Sequence, residues 1–202
     1  MNSGKTGASR WLRLALFVFL FCCFSAEKLQ SQTPLFLGED LVFYVSDSLC
    51  VLRGEYHFLN PGMTPLKTRL FYPFPISEDL PFPDKVEVRS MESGVHLPLL
   101  GGDGGVSFVL EMDSLAQSSI HVEYWQTAES HIFEYILTTT QAWSRALEWA
   151  NYEIHVPEHL ELEYCSLDLD TSWVEIEKRV YSIYRENYLP VKNFEIRWGN
   201  KE

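Results

Sequence analysis

The residues with the clearest chemical potential are the two histidines of segment 155–159, which reads His-Val-Pro-Glu-His. Two imidazoles and a carboxylate at this spacing suit a hydrolytic zinc site when one helix carries them, because residues four apart on a helix lie about 6 Å from each other. Pro157 disfavours that helix, and residues 152–156 alternate between apolar and polar as a strand does. In a strand, His155 and His159 would be about 13 Å apart, too far to share one ion. We therefore expect no catalytic zinc at this motif.

Carboxylates recur in two further patterns. Segment 168–172 resembles the opening of a calcium loop, but it lacks the glycine and the distant glutamate that complete one, so we interpret it as a turn. Glu161 with Glu163, and Glu175 with Glu177, fall where strand alternation requires a polar face. The sequence has no nucleophile elbow, HExxH motif or dinucleotide-binding glycine pattern. We predict a protein that is not an enzyme and needs no cofactor or metal; the alternative is a hydrolase whose carboxylates converge only in the fold.

Three aromatic residues are the candidate ligand-binding residues. Trp125 shares strand parity with charged neighbours, and Trp173 and Tyr181 share parity with the glutamates between them. An aromatic ring on a polar strand face is either covered by a loop or exposed to a ligand. The second reading leads to an alternative hypothesis, a carbohydrate-binding module that stacks sugar rings on these three side chains.

Four cysteines are present, and two of them, Cys50 and Cys165, lie beyond the N-terminal segment. In an exported protein such a pair permits one disulfide, so Cys50 and Cys165 are a candidate bond. The alternative is two separate buried thiols. No CxxC spacing exists, which excludes a zinc ribbon and a thioredoxin-like redox site.

The N-terminus has the order of a secretory signal peptide. Basic residues precede an unbroken apolar run at 14–24, and Ser25 and Ala26 follow it. The run has 11 residues, whereas a membrane span needs about 20, so we expect a signal peptide at 1–26 and no membrane span after cleavage. Lipid anchoring at Cys23 is an alternative, although the small residues expected before that cysteine are missing.

The net charge of the chain limits the classes of partner that we expect it to bind. The chain of 202 residues carries 16 Lys and Arg against 28 Asp and Glu, a formal charge of −12. Removing residues 1–26 takes away three basic residues and no acidic one, which gives −15. Nucleic acids and anionic membranes attract basic surfaces, so this acidity argues against both as partners.

Period-2 alternation recurs along the chain and predicts about eleven strands with at most one short helix near 139–150. We interpret residues 27–39 as a polar lead-in before the first strand, 95–100 as a short strand, and 173–185 as one strand. Many short strands with few helices are typical of an antiparallel β-sandwich. We therefore predict an all-β protein with a single domain at 27–202.

Two stretches carry a resemblance to known proteins. In the first, a strand, an Asn-Pro-Gly turn and a second strand lead into segment 72–75, Tyr-Pro-Phe-Pro. The second comprises segment 135–139, Trp143, segment 152–154 and the Val-Pro pair at 156–157. Together they are similar to uncharacterised secreted bacterial β-sandwich domains, and distantly to the vault/inter-alpha-trypsin (VIT) type domain. The resemblance implies a β-sandwich and assigns no activity and no functional residue.

These inferences combine into one functional prediction. We expect an exported, non-catalytic β-sandwich that serves as a binding or structural module of the cell envelope, with a protein or a glycan as its unknown partner. The expected locations are the cell envelope, including the periplasm, and the outside of the cell.

Overall fold

A computed structural model of the protein describes residues 33–201. Within that range the chain is almost entirely strand, and its one short helix is the 3-10 helix Thr138–Trp143. The predicted all-β class and the short helix are therefore confirmed. The thirteen strands of the described residues are β1 Leu35–Val45, β2 Leu49–Leu59, β3 Leu66–Pro73, β4 Lys85–Ser90, β5 Leu100–Gly102, β6 Gly105–Met112, β7 Gln117–Thr127, β8 Ile132–Tyr135, β9 Leu147–Pro157, β10 Leu160–Cys165, β11 Thr171–Glu175, β12 Lys178–Tyr188 and β13 Phe194–Asn200.

The strands form one large sheet and two small ones. The large sheet has the order β11-β12-β9-β1-β2-β7-β4, and the small sheets have the orders β10-β13-β8 and β3-β6-β5. Both small sheets cover the same face of the large sheet, as two ring contacts show. Phe43 of β1 packs edge-on against Phe133 of β8 at 5.9 Å, and Tyr56 of β2 packs against Tyr72 of β3 at 5.6 Å. The core of this sandwich lies between the large sheet and the two small sheets.

One strand pair departs from the antiparallel expectation. Strands β1 and β9 pair in parallel at the centre of the large sheet, while the other paired strands are antiparallel. Parallel neighbours cannot be joined by a tight turn, and here 101 residues separate the end of β1 at Val45 from the start of β9 at Leu147. The large sheet is therefore mixed, and its central pairing depends on the whole intervening chain.

Three segments differ from their predictions. Strand β1 begins at Leu35, inside the expected lead-in, and its register shifts between Phe36 and Gly38. The expected strand at 95–100 is reduced to a bridge at His96 before β5. Residues 173–185 belong to two strands, β11 and β12, with Glu177 at a φ of 61° in the turn between them. A positive φ is uncommon in residues other than glycine. Because this turn contains neither glycine nor proline, the sequence gives no sign of the hairpin.

The predicted signal peptide at 1–26 and the lipid-anchor alternative at Cys23 lie outside the described residues. Between residues 33 and 201 there is no helix long and apolar enough to cross a membrane.

Candidate functional site

The candidate site is a pocket of about 160 Å³ over the centre of the large sheet. It lies where β1, β2 and β7 are covered from one side by β3 and β6 and from the other by the end of β8 and the 3-10 helix. We call it the central pocket. Its lining residues are Phe36, Glu39, Tyr56, Phe58, Arg69, Leu70, Phe71, Tyr72, Pro73, Phe108, Ile120, Tyr135, Ile136, Thr139, Thr140 and Trp143.

A buried carboxyl group stands in the wall of the central pocket. Glu39 is 1 % exposed, and both of its oxygens accept hydrogen bonds from tyrosines. The Tyr152 hydroxyl donates to Oε1 at 2.6 Å, and the Tyr135 hydroxyl donates to Oε2 at 3.1 Å. A buried carboxyl group requires such partners, because an unpaired one costs several kcal/mol (about 2–7 even for a neutral polar group).

Two further tyrosines extend this network. The hydroxyls of Tyr56 and Tyr135 are 3.1 Å apart, and those of Tyr56 and Tyr72 are 2.7 Å apart. A hydroxyl has one proton, so Tyr135, which donates to Glu39, must accept from Tyr56. Tyr56 must in turn accept from Tyr72. In this series of hydrogen bonds, each hydroxyl proton therefore points toward the Glu39 carboxylate.

The electrostatics of this network are dominated by burial. Burial raises the pKa of Glu39 from 4.5 to about 7, against the lowering effect of the hydrogen bonds from Tyr152 and Tyr135, and the nearby Asp40 carboxylate raises it further. Burial likewise raises the pKa of the Tyr56 and Tyr135 hydroxyls well above the usual value, so they remain protonated donors. A carboxyl group that titrates near neutrality inside a pocket is a candidate for function.

The rest of the central pocket is lined by aromatic rings. Phe36 stacks on Phe58 at 5.2 Å, and Trp143 of the 3-10 helix contacts both, at 5.7 and 5.8 Å. Trp143 is half-buried, and Thr139 and Arg69 are exposed, which places the mouth of the pocket between β3 and the 3-10 helix. The site therefore has an aromatic middle and a buried acidic end.

A glycine in β2 makes room for the network. A Cβ at Gly54 would lie 2.6 Å from the Tyr56 ring and 2.7 Å from its hydroxyl oxygen. Real Cβ atoms do not approach other atoms so closely, so the Tyr56 side chain can lean across position 54 only because no side chain is there. Gly54 thereby helps to bring the Tyr56 hydroxyl to Tyr135.

Glu39 is not among the residues that the sequence predicts for the site, because residues 27–39 have the polar composition of a lead-in. The signal that was available is the alternation Leu37, Glu39, Leu41, Phe43, Val45, all of them buried. This pattern puts a glutamate on the apolar face of a strand, where an ionised side chain is rarely found without partners.

Trp125 and Trp173, two of the predicted ligand-binding residues, lie on the outer face of the large sheet. They share one row that crosses the sheet through Val180, His155 and Tyr44. Four strands separate β11 from β7, so the two tryptophans are about 24 Å apart at the usual strand spacing.

Two aromatic rings of this outer row, those of Trp125 and Tyr44, each have a cation over one face. The Lys85 ammonium lies 4.3 Å from the centre of the Trp125 ring, and the Arg53 guanidinium lies 4.9 Å from that of Tyr44. Tyr181 is opposite the fully buried Ile154 and therefore faces the other side of the sheet, against the core. Trp125, Trp173 and Tyr181 do not converge on one site.

The histidines of segment 155–159 have separate partners. Strand β9 continues to Pro157, as the alternation predicted. His155 Nε2 is 2.8 Å from the Glu153 carboxylate, whereas His159 Nε2 is 2.9 Å from the Asp47 carboxylate. The part of the chain that the structure describes contains no group of three or more metal-ligating side chains.

The carboxylate patterns occupy exposed positions. Asp170 accepts two hydrogen bonds of 3.0 Å from the Arg185 guanidinium, which tie segment 168–172 to β12. The segment is an irregular connection that leads into β11 at Thr171, and it is not the turn we expected. Glu161, Glu163 and Glu175 are exposed on β10 and β11. Glu39 is the one carboxyl group among the described residues that line the central pocket.

The candidate disulfide is not present in the structure. Cys50 and Cys165 are both free thiols, and Cys50 is fully buried in β2 while Cys165 is half-buried on β10 in a different sheet. Cys165 lies near Arg185, whereas Cys50 lies near Tyr124. The alternative of two separate thiols therefore describes this structure.

Comparisons with known proteins show similarity at the level of the fold. No protein-family model and no curated protein matches this chain, so the resemblance to the VIT-type domain stays a prediction. A solved structure from Legionella pneumophila, named a "putative nutrient binding protein", is similar over 83 % of this chain and 68 % of that one, with 11 % identity and a TM-score of 0.57. An M1 zinc metallopeptidase from Deinococcus radiodurans is similar over 81 % of this chain, with 11 % identity and a TM-score of 0.51. The chain spans 42 % of that peptidase.

Proposed function

We propose that this protein is an exported, non-catalytic binding protein of the cell envelope that takes a small ligand in the central pocket. The observation that carries the proposal is the combination of Glu39 with an aromatic lining in one pocket of about 160 Å³. Small-molecule sites are typically concave and mostly apolar, with a few polar groups that orient the ligand. The similarity to a protein named for nutrient binding supports the same class of function.

Two other functions have weaker support. A glycosidase-type hydrolase needs two facing carboxyl groups, and Glu39 has no second one beside it among the described pocket residues. A glycan platform would need rings that are close together and uncovered, whereas Lys85 covers the Trp125 ring and Trp173 lies on a distant strand. Binding in the central pocket is therefore the function we favour.

The test is a screen of small ring-bearing compounds by ligand-observed NMR, with a blocked pocket for comparison. Thr139 is exposed at the pocket mouth, so T139W should obstruct the pocket without disturbing the core. Ala142 is exposed on the same 3-10 helix and does not line the pocket, so A142W is the matched control. We expect compounds that bind the parent protein and A142W but not T139W. The absence of binding, or binding that T139W leaves unchanged, would contradict the proposal.

A further inference from the structure

The charge of Glu39 lacks a cationic partner within the protein. Its hydrogen bonds come only from tyrosine hydroxyls, and no described lysine, arginine or histidine forms an ion pair with it. A carboxylate can accept about four hydrogen bonds, and two of those positions are used. Ionised groups this deeply buried are normally paired with an opposite charge, so the central pocket lacks a cation at its acidic end.

The aromatic walls of the central pocket also favour a positively charged ligand. Rings attract cations over their faces, and desolvation inside a pocket strengthens that attraction. Tyr56 and Tyr135 line the pocket beside Glu39, and Phe36, Phe58 and Trp143 surround the space nearer the mouth. A ligand with a positive charge at its inner end and an apolar body would pair with the Glu39 carboxylate and pack against the aromatic rings.

The dimensions restrict the body of the ligand. The pocket measures about 160 Å³, and a cavity of roughly 150 Å³ is known to hold a benzene molecule. One ring therefore fits, and a second ring would have to extend through the mouth. Arg69 is exposed at that mouth and is not among the groups that shift the pKa of Glu39. Its charge disfavours a second positive charge at the outer end of the ligand.

We propose that the central pocket binds a small organic ammonium ion with one ring, placing the ammonium group at Glu39 and the ring against Phe36, Phe58 and Trp143. This inference rests on the proposed function and adds the chemical class of the ligand. An ammonium group donates to the free acceptor positions of the carboxylate, and its charge completes the ion pair that Glu39 lacks.

The experiment compares two probes of the same size, one positively charged and one neutral. Benzylamine carries the ammonium group, and benzyl alcohol is its neutral counterpart with the same number of heavy atoms. We expect titration calorimetry on the purified protein at pH 8 to give at least tenfold tighter binding of benzylamine. In E39Q this preference should disappear. Benzoate tests the opposite charge, and we expect it to bind more weakly than either probe.

Tryptophan variants keep the test informative if E39Q folds poorly. W143A removes part of the ring wall and should weaken benzylamine and benzyl alcohol by a similar factor. W173A removes a tryptophan from the outer sheet face and should leave both affinities unchanged. Equal affinity for the two probes, with both sensitive to W143A, would overturn the ammonium class while leaving the pocket as a ligand site. Failure of every probe, together with an empty compound screen, would overturn both proposals.

Discussion

Tyr152 and Glu39 lie on adjacent parallel strands of the large sheet, and the Tyr152 hydroxyl donates a hydrogen bond of 2.6 Å to the buried carboxylate. The contact joins residues 113 positions apart in the chain. It ties the one parallel strand pair of the sheet to the acidic end of the central pocket, so the pairing of β1 with β9 and the state of the candidate site are coupled.

The first prediction concerns the effect of this hydrogen bond on the pKa of Glu39. Y152F removes a donor that stabilises the ionised carboxylate, so the pKa of Glu39 should rise above its value of about 7. Carbon-detected NMR titration of the Glu39 side chain measures the shift. Y164F, at an exposed tyrosine of β10, is the matched control and should leave the titration unchanged. An unchanged or lower pKa in Y152F would contradict the assigned hydrogen bond.

The second prediction is a pH dependence of stability caused by Glu39. Its pKa is higher in the folded protein than in the unfolded chain, so the folded state holds the proton more tightly between pH 4.5 and 7. The stabilisation is complete below pH 4.5 and is lost as the pH rises toward 7, a difference of about 3 kcal/mol at 1.36 kcal/mol per pKa unit.

Denaturant unfolding at a series of pH values tests this, with E39Q as the reference that cannot titrate. The free energy of unfolding of the parent protein relative to E39Q should decrease across that window. The titratable groups that interact with Glu39 are Asp40 and five tyrosines, Tyr56, Tyr72, Tyr135, Tyr152 and Tyr188. Burial raises the pKa of each tyrosine, so all five stay protonated in this window. If the difference in the free energy of unfolding between the parent protein and E39Q stays constant from pH 4.5 to 8, burial does not raise the pKa of Glu39.

The third prediction concerns the space at Gly54. G54A places a methyl group 2.6 Å from the Tyr56 ring and 2.8 Å from Leu41, so the ring must move. We expect a loss of about 1–3 kcal/mol in the free energy of unfolding, typical of overpacking, and a disturbed Tyr56 hydroxyl. Thermal unfolding measures the first effect, and the Glu39 titration reports the second. G101A is the matched control, because a Cβ at Gly101 meets nothing within 4 Å; equal stability of the two variants would argue against the crowding.

The fourth prediction follows from the separate cysteines. Thiol titration of the unfolded protein without reductant should find both Cys50 and Cys165 reactive, because neither is bonded in the structure. In the folded protein Cys165 should react first, since Cys50 is fully buried and burial raises the pKa of its thiol well above the usual value. C165S removes the faster phase and serves as the assignment control. A melting temperature that falls on adding reductant would instead indicate a disulfide between the two cysteines.

Much of the fold could be predicted from local patterns. Alternation predicts strands at 50–59, 67–72, 85–90 and 118–126. Strand β4 has the predicted bounds, and β2, β3 and β7 begin and end within one residue of theirs. Each of these strands has a regular alternation of apolar and polar residues, and one buried face is enough to produce that pattern. Alternation missed only the first half of β1, where the register shift after Phe36 breaks the period and two acidic residues follow. It failed again at residues 176–177, where the turn contains neither glycine nor proline.

The sequence by itself determined the all-β class and the buried faces of most strands, because side-chain parity is a local property that needs no knowledge of the partner strand. The central pocket was decided by the tertiary structure alone. Its acidic network draws Glu39 and its tyrosines from five strands, β1, β2, β3, β8 and β9, which belong to all three sheets. Which strands become neighbours depends on long-range pairing, including a parallel pair whose strands are 101 residues apart, and no local pattern encodes that pairing. That pairing converts a glutamate in an apparent lead-in into the buried carboxyl group of the candidate site.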